Sequence, residues 1–580
     1  MIKRGCLLLL LVFSSSIFFG QQDQITIIGK GQREIEPAYR LLETPTIIDS
    51  LKIVQVPEYP LLYFQVPTNI ILDTIERASV ESSPEHIKQL FPFYLKAGIG
   101  TALMPMGDLY FHSTRSYNLH YGLNVQHLSA FRTAIQKNDY SYLNADFDQT
   151  KTSLFVKLME DQYKLMGSFD YSNFGYNYYG VRRDVDTINI NPVDSLNKQR
   201  FQNLGGKTMF EWITSDSAGL NFRMDADYNY MFSRPLPLDS VNAWNNREHF
   251  AKVNLHGWYK HEHEVFYADL GVKYNGYRQG LSNLIGTPFD SSFRTNNYIV
   301  YVKPGVRTQM FNDRLKVEIG TKLAFDVYEK TRVYLYPKVD IKYSMFNDIF
   351  IPYIGIDGDL RQNSYRGFVT QNPFLNVYQD SLRNDNNLFS FHGGIKGALS
   401  NEIGFNLHAN YSRHIGYGLF VSNSIRRNTF SVVYDTVNIM RVEGSISYTL
   451  KNKLNVEGIA RYNSYQTTNN AYAWNLPQVE FVLRGKYNLY DKLYAQLDGE
   501  MLFGRKAKLL DSIGSVGMED GQYFSSLKPL IDLNLEAEYR YNTRVSVFLQ
   551  LNNLVSVRYN RYYNYPVQGF QLMGGITCRF

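Results

Sequence analysis

One pattern dominates the chain from residue 94 to its end: apolar and polar residues alternate in long runs. Leu220, Phe222, Met224, Ala226, Tyr228 and Tyr230 are interleaved with Asn221, Arg223, Asp225, Asp227 and Asn229. Leu315, Val317, Ile319, Leu323, Phe325 and Val327 alternate with Lys316, Glu318, Lys322 and Asp326. Ile531, Leu533, Leu535, Ala537, Tyr539 and Tyr541 alternate with Asp532, Asn534, Glu536, Glu538 and Arg540. Side chains point to opposite faces along a strand, so each run has one apolar and one charged face. A soluble sandwich makes short versions of this pattern. These runs often exceed about ten residues, the length a tilted strand needs to cross a bilayer. A lipid-facing stripe around a wet interior accounts for both faces.

The connections alternate too. Short polar turns are expected at Glu160-Asp161-Gln162, Ser215–Gly219, Asn312-Asp313-Arg314, Phe346–Asp348, Ser400–Glu402, Lys451–Lys453, Tyr490–Lys492 and Asn542–Arg544. Longer connections fall at Val181–Lys198, Arg234–Asn246, Arg278–Asn296, Arg361–Asn387, Gly416–Val433 and Arg505–Gln522. Short turns on one side and long loops on the other is the outer-membrane barrel arrangement, short turns periplasmic. The expected fold is therefore all-β: a transmembrane antiparallel β-barrel of about 22 strands over residues 94–580. The stretch Met104–Tyr142 resists division into strands. Mean hydropathy of −0.31 alone suggests a soluble protein. The 46 Tyr and 37 Phe argue otherwise, because barrels hide apolar residues by alternation and wear aromatic girdles.

Residues 1–20 read as a secretory signal peptide: Lys3 and Arg4, an apolar core Leu7–Phe13, and cleavage near Gly20. Cys6 precedes that core, which argues against an acylated lipoprotein, and Cys578 alone would remain, so no internal disulfide is expected. The expected location is the outer membrane of a Gram-negative cell, in contact with its lipid. A net charge of +6 over 580 residues is mild and argues against a dedicated nucleic-acid binder.

The C-terminus carries the most specific motif. In the last strand Phe570, Leu572, Ile576, Cys578 and Phe580 share a face with Gly574. A final strand ending in Phe resembles the signal read by barrel-assembly machinery, with Phe570, Leu572, Ile576 and Phe580 as its residues. Leu551-Asn552-Asn553-Leu554, Tyr559, Tyr565-Pro566 and Gly569, running into that strand, look like the last two strands of TonB-dependent outer-membrane receptors. Ile25, Thr26, Ile27 and Ile28 look like the TonB box, the strand gripped by the energising periplasmic protein. The resemblance implies a 22-stranded barrel and TonB, or another periplasmic or lipoprotein partner.

It departs from the family between box and barrel. Those receptors carry a globular plug there, larger than the 73 residues of 21–93, which hold seven of the chain's 19 prolines. Proline removes donors and breaks interior strands. The segment reads as an extended Pro-rich chain, periplasmic or lumenal, with one short helix at Pro84–Leu90 and the plug absent or degenerate. A barrel so wide needs its lumen filled. The N-terminal segment, inward-folded loops or a partner are the three candidates.

Candidate sites are few. His261-Glu262-His263-Glu264 puts two His on one face, as zinc would need, but falls in an expected hairpin turn. Asp225 with Asp227, and Asp498 with Glu500, are lumenal carboxylate pairs that Arg223, Arg461 and Arg540 can balance. The aromatic stretches Asp170–Tyr179 and Tyr559–Tyr565 suit an interfacial girdle, or stacking on a sugar or peptide. There is no nucleotide-binding glycine loop, zinc spacing or nucleophile motif, so no cofactor, metal or enzyme activity is expected. The expected function is a receptor or transport barrel. The alternative is a non-transporting scaffold or assembly subunit docking partners through residues 21–93.

Overall fold

The computed structural model describes residues 90–101, 103–131, 145–180, 198–214, 219–237, 242–283, 290–377, 379, 381–424, 428–451, 453–512 and 515–580. The leader, the run Ile25–Ile28 and the Pro84–Leu90 helix lie outside the described residues, apart from Leu90 itself.

Each barrel strand pairs antiparallel with its neighbour in sequence, from Phe93–Gly100 to Gln571–Arg579, and those two pair with each other. The sheet is a closed barrel of 22 strands, with the two-residue strand Leu236–Pro237 attached to one of them. Closure leaves no edge strand, which is how a barrel satisfies backbone groups at membrane depth; the thinnest pairing is between Thr331–Tyr343 and Ile351–Arg361, over Val339–Lys342. The seam is glycine-rich because the strands approach closely there. A Cβ on Gly98 would lie 2.7 Å from the Phe548 ring, and one on Gly575 would strike the carbonyl of Ala97. Phe93 and Phe580 finish the seam with reciprocal backbone hydrogen bonds of 2.9 and 3.1 Å and stacked rings 5.5 Å apart.

Alternation resolves as expected. Leu220, Met224 and Tyr228 face outward and are exposed, whereas Asn221 and Asn229 are buried inward. In the last strand Leu572 and Ile576, with the flanking Phe570 and Phe580, are exposed on the outer face. Tyr228, Tyr411, Tyr462 and Phe481 are exposed and lie eight residues from the inner ends of their strands at Leu220, Ile403, Leu454 and Leu489. At about 3.3 Å per residue and a tilt near 40° this is roughly 20 Å of membrane normal. Tyr259, Tyr343, Tyr487 and Tyr539 form the matching inner girdle. No described helix is long and apolar enough to cross a membrane; the strands cross it. The chain is an outer-membrane β-barrel.

The short turns sit together at the inner end. Phe311-Asn312-Asp313 and Phe346-Asn347-Asp348 repeat one device, three successive residues at φ between 54 and 65°. Asn and Asp tolerate that left-handed region better than most residues. Glu262-His263 is a two-residue hairpin turn with Glu262 at φ 51°, so the His-Glu cluster is a connection.

Three expectations need correction. The described part of Met104–Tyr142 holds the strands Met104–His112 and Leu119–Ala130, and the outer connection before them is a short turn. Several outer loops are shorter than expected, because hairpins continue as Asn242–His261, Glu264–Asn283, Asp290–Met310, Ile403–Ser422 and Phe430–Leu450, strands of 20 or 21 residues. Above the bilayer nothing enforces an apolar outer face, so the alternation fades while the backbone ladder persists. The third concerns the aromatic clusters at the outer mouth.

Candidate functional site

The connection between Ile351–Arg361 and Asp385–Ala398 folds into the barrel mouth. It contains α1 (Tyr365–Gln371), the one α-helix among the described residues. Ser364 caps α1 by accepting the Gly367 N–H at 3.0 Å. A wall residue completes the cap. Glu248, on Asn242–His261 and 1% exposed, accepts the N–H of Tyr365 at 2.7 Å and of Arg366 at 2.8 Å. Asn275 donates to the same carboxylate at 2.8 Å. Orphan N–H groups at a helix start favour an anion, so Glu248 fastens the loop to the barrel wall. The Arg366 guanidinium donates to Asn229 at 3.1 Å and lies 5.6 Å from the Phe250 ring.

After α1 the chain turns at Asn372–Leu375, where the Leu375 N–H donates to Asn372 O at 3.2 Å and the Phe374 N–H to Asn372 Oδ1 at 3.0 Å. Leu375 makes a parallel bridge to Phe430; the Asn376 N–H donates to Phe430 O at 2.7 Å and the Phe430 N–H to Phe374 O at 3.0 Å. The carbonyls of Pro373, Leu375, Asn376 and Val377, and that of Gln371 at the end of α1, meet tyrosine hydroxyls. Tyr562 donates to Gln371 O at 2.7 Å, Tyr178 to Leu375 O at 2.8 Å and Tyr277 to Val377 O at 3.3 Å. Tyr176 donates to Pro373 O, and Tyr365 of α1 to Asn376 O at 3.1 Å. Further on, Tyr434 donates to Ser381 O at 3.1 Å. Burial raises the hydroxyls of Tyr365, Tyr559 and Tyr562 above their usual range, so they stay protonated.

The side chains are held as firmly. Leu375 and Val377 are fully buried in a cluster with Tyr178, Tyr277, Phe201 and Phe430. Phe374 stacks on Tyr565 at 3.6 Å between centroids and meets Tyr176 and Tyr179 edge-on at 5.6 Å each. Beside Phe374 lies a cavity of about 540 Å³. Aromatic rings (Phe174, Tyr176, Tyr179, Tyr559) line one part, Met104, Met106 and Met573 another, and Asp532, Asn534, Gln550, Asn552 and Arg561 a third.

Of the three ways to fill the lumen, the inward-folded loop is present in the described residues. The aromatic stretches are corrected: Tyr176, Tyr178, Tyr179, Tyr562 and Tyr565 grip this loop or its surroundings and are no girdle. A signal was available for two of them. Tyr176 and Tyr178 continue the even-numbered face of Asp170, opposite the exposed Leu165 and Phe169. Nothing in the sequence singled out Glu248.

The lumenal charges are paired, though not all with the partners expected. Arg223 bonds Asp225 at 2.8 Å, Arg461 reaches Glu443 at 2.6 Å and Glu480 at 3.4 Å, and Arg540 reaches Glu538. Gln496 donates to Asp498 at 2.7 Å. Lys96 reaches Glu536 at 2.7 Å across the seam and lies 4.2 Å from the Phe548 ring. Among the described residues no group of three His, Cys, Asp or Glu is placed to hold a metal.

The sequence matches no protein-family model and no curated protein. Solved structures do resemble it. The ferripyoverdine receptor of the Pseudomonas aeruginosa outer membrane, bound to ferripyoverdine, aligns with TM-score 0.59 and 13% identity, over 85% of this chain and 72% of that one. The FrpB iron transporter of Neisseria meningitidis gives 0.61 and 9%, over 85% and 82%. The copper transporter OprC gives 0.59 and 11%, over 85% and 81%. Shared fold at such identity reflects the barrel's geometry, and function must be argued from the site.

Proposed function

We propose that this chain, whose barrel has the fold of TonB-dependent outer-membrane receptors, is a receptor that admits a ligand through a gated outer mouth. The observation that carries the reading is the loop around α1. It crosses from its own strands to Glu248, Tyr178 and Tyr277, so one segment lies in the mouth of a wide barrel. The neighbours bring in iron chelates or copper; the cavity beside Phe374 is of the size of small-ligand sites, about 300–1,000 Å³. Its mixed aromatic, amide and charged lining suits a polar ligand of modest size.

Ile25, Thr26, Ile27 and Ile28 serve in this reading as the strand that TonB pairs with, and Phe570, Leu572, Ile576 and Phe580 as the assembly signal. Deleting Asp23–Gly31 tests the coupling: uptake and TonB crosslinking are expected to fall together, and unchanged values for both would sink it. Gate function is tested in planar bilayers. The loop-shortened barrel should conduct where the whole protein is closed.

A second reading, a non-transporting subunit of an envelope complex, draws on one feature. The outer three-stranded sheet around Gln522–Ser526 leaves Leu510, Val516 and Met518 exposed beyond the membrane. Apolar clusters of that kind mark partner surfaces. Mild-detergent purification separates the two, since a stable multiprotein complex with a sealed pore would favour the scaffold.

A further inference from the structure

The barrel wall has one incomplete joint. Thr331–Tyr343 and Ile351–Arg361 pair only at residues 339–342 against 353–356, the shortest ladder between neighbouring barrel strands among the described residues. Outward of Val339 each strand stays paired on its far side, residues 331–338 with 320–327 and 357–361 with 385–390. They do not pair with each other. Pro337 stands within the unpaired stretch and can donate no backbone hydrogen bond, as suits a strand edge. The outer end of Ile351–Arg361 has moved into the lumen. Bulges between Asp357 and Asp359, and between Asn387 and Phe389 on the next strand, bend it there. Leu360 is buried in a cluster with Ile299, Tyr301, Ala324 and Tyr336, which lie on the inner faces of three preceding strands. The two edges therefore overlap instead of meeting.

Side chains close the joint in place of the ladder. The Tyr336 ring lies against Gly358, where a Cβ would come within 2.6 Å of it, and its hydroxyl donates to Asn386 at 2.7 Å, one strand further on. Lys322 pairs with Asp359. Each is a single side-chain bond, so the wall parts here at least cost. The joint faces the outer leaflet. Tyr343 belongs to the inner girdle; Val339, four residues outward, is near the bilayer middle, and Leu335, eight residues outward, is level with the outer girdle. On the lipid side Val333 and Leu335 are exposed. On the lumenal side the apolar cluster carries two ammonium groups: Lys322 and Lys273 lie 4.6 and 5.5 Å from the Tyr301 ring centroid. Lys273 also donates to Leu360 O at 3.5 Å. Apolar surface that runs from lipid to lumen and ends at two cations matches a hydrocarbon chain with an anionic head.

We propose that this joint is a lateral gate, through which an amphiphile with an acyl chain and an anionic head passes between the outer leaflet and the lumen. The head takes Lys322 from Asp359 and so releases the latch. The chain then slides between residues 331–338 and 357–361, displacing the Tyr336 ring. The route is separate from the outer mouth and goes beyond the receptor reading.

The test uses the whole protein in phosphatidylcholine vesicles. The probe is hexadecyl sulfate with a diazirine on its chain, incorporated in the bilayer; the matching alcohol is the uncharged control. Photolabelled residues are read by peptide mass spectrometry. Asp359→Asn with Tyr336→Phe removes both latches. Labelling of Ile299, Tyr301 and Leu360 by the sulfate is then expected to rise about tenfold, the size of two lost side-chain bonds. Labelling of the lipid-facing Val333 and Leu335 should not change. The alcohol should label the three inner residues at least about tenfold less than the sulfate, because only the sulfate can replace Asp359 at Lys322. If the double variant does not assemble, Asp359→Asn alone takes its place, with a rise of about threefold expected. Inner labelling that is unchanged by unlatching, or equal for sulfate and alcohol, overturns the proposal. Conductance of the loop-shortened barrel tests the gated mouth separately, so either reading can fail alone.

Discussion

Glu248 accepts the backbone N–H of Tyr365 at 2.7 Å, tying the wall of the barrel to the first turn of a helix whose loop begins five strands further around the cylinder. The carboxylate is buried and takes three donors in all. Glu248→Ala leaves those donors in a dry site, at about 1–3 kcal/mol. The barrel itself should stay folded while the cap loosens. Hydrogen exchange of residues 365–377 is expected to speed up by about one to two orders of magnitude, with the barrel strands unchanged. Glu248→Gln, which keeps an acceptor, should fall between.

The pH response of the mouth loop follows from the raised hydroxyls of Tyr365 and Tyr562, which donate to its carbonyls. An acid whose pKa is raised in the closed state contributes stability that is complete below its open-state value and is lost as pH rises past it. The open-state value is about 10. Closure should therefore be flat from about pH 6 to 9 and weaken only above about 10. Single-channel openings recorded across that range, with a spectroscopic tyrosinate titration alongside, check it. A rise in openings near neutral pH would contradict the assignment.

The seam supplies a third expectation. Gly575→Val drives a side chain into the Ala97 carbonyl and the backbone of Gly98, so the first and last strands cannot close. Barrel assembly should fail, seen as loss of heat-modifiable migration. Lys96→Met keeps the volume and removes the tie to Glu536, and should lower stability by about 1–3 kcal/mol in denaturant titration without abolishing assembly.

Ile319 and Ile446 are exposed, four residues from the inner ends of their strands and so near the bilayer middle. Arg at either should cost about 2–4 kcal/mol in folding from urea into lipid vesicles. The same change at exposed Val516, on the outer sheet beyond the membrane, is expected to be nearly neutral.

The sequence by itself determined the cylinder. A period of two is a local property, and a strand with one face in lipid and one in water must show it. Runs such as Leu315–Val327 therefore announced both the strands and their sidedness, and the short turns between them set the count of 22. The same parity placed Tyr176 and Tyr178 inward, though their abundance of aromatic neighbours suggested the interface. Where strands leave the bilayer, the pattern no longer reports the structure, and the outer ends of strands such as Asn242–His261 and Glu264–Asn283 fall inside the expected loops. Tertiary structure alone decided which of the outer connections enters the mouth. That choice rests on pairings such as Glu248 with Tyr365, Tyr178 with Leu375 and Tyr562 with Gln371, whose partners lie 117, 197 and 191 residues apart. Hydrogen bonds between groups so distant leave no periodic trace, and only closure of the barrel brings them within reach.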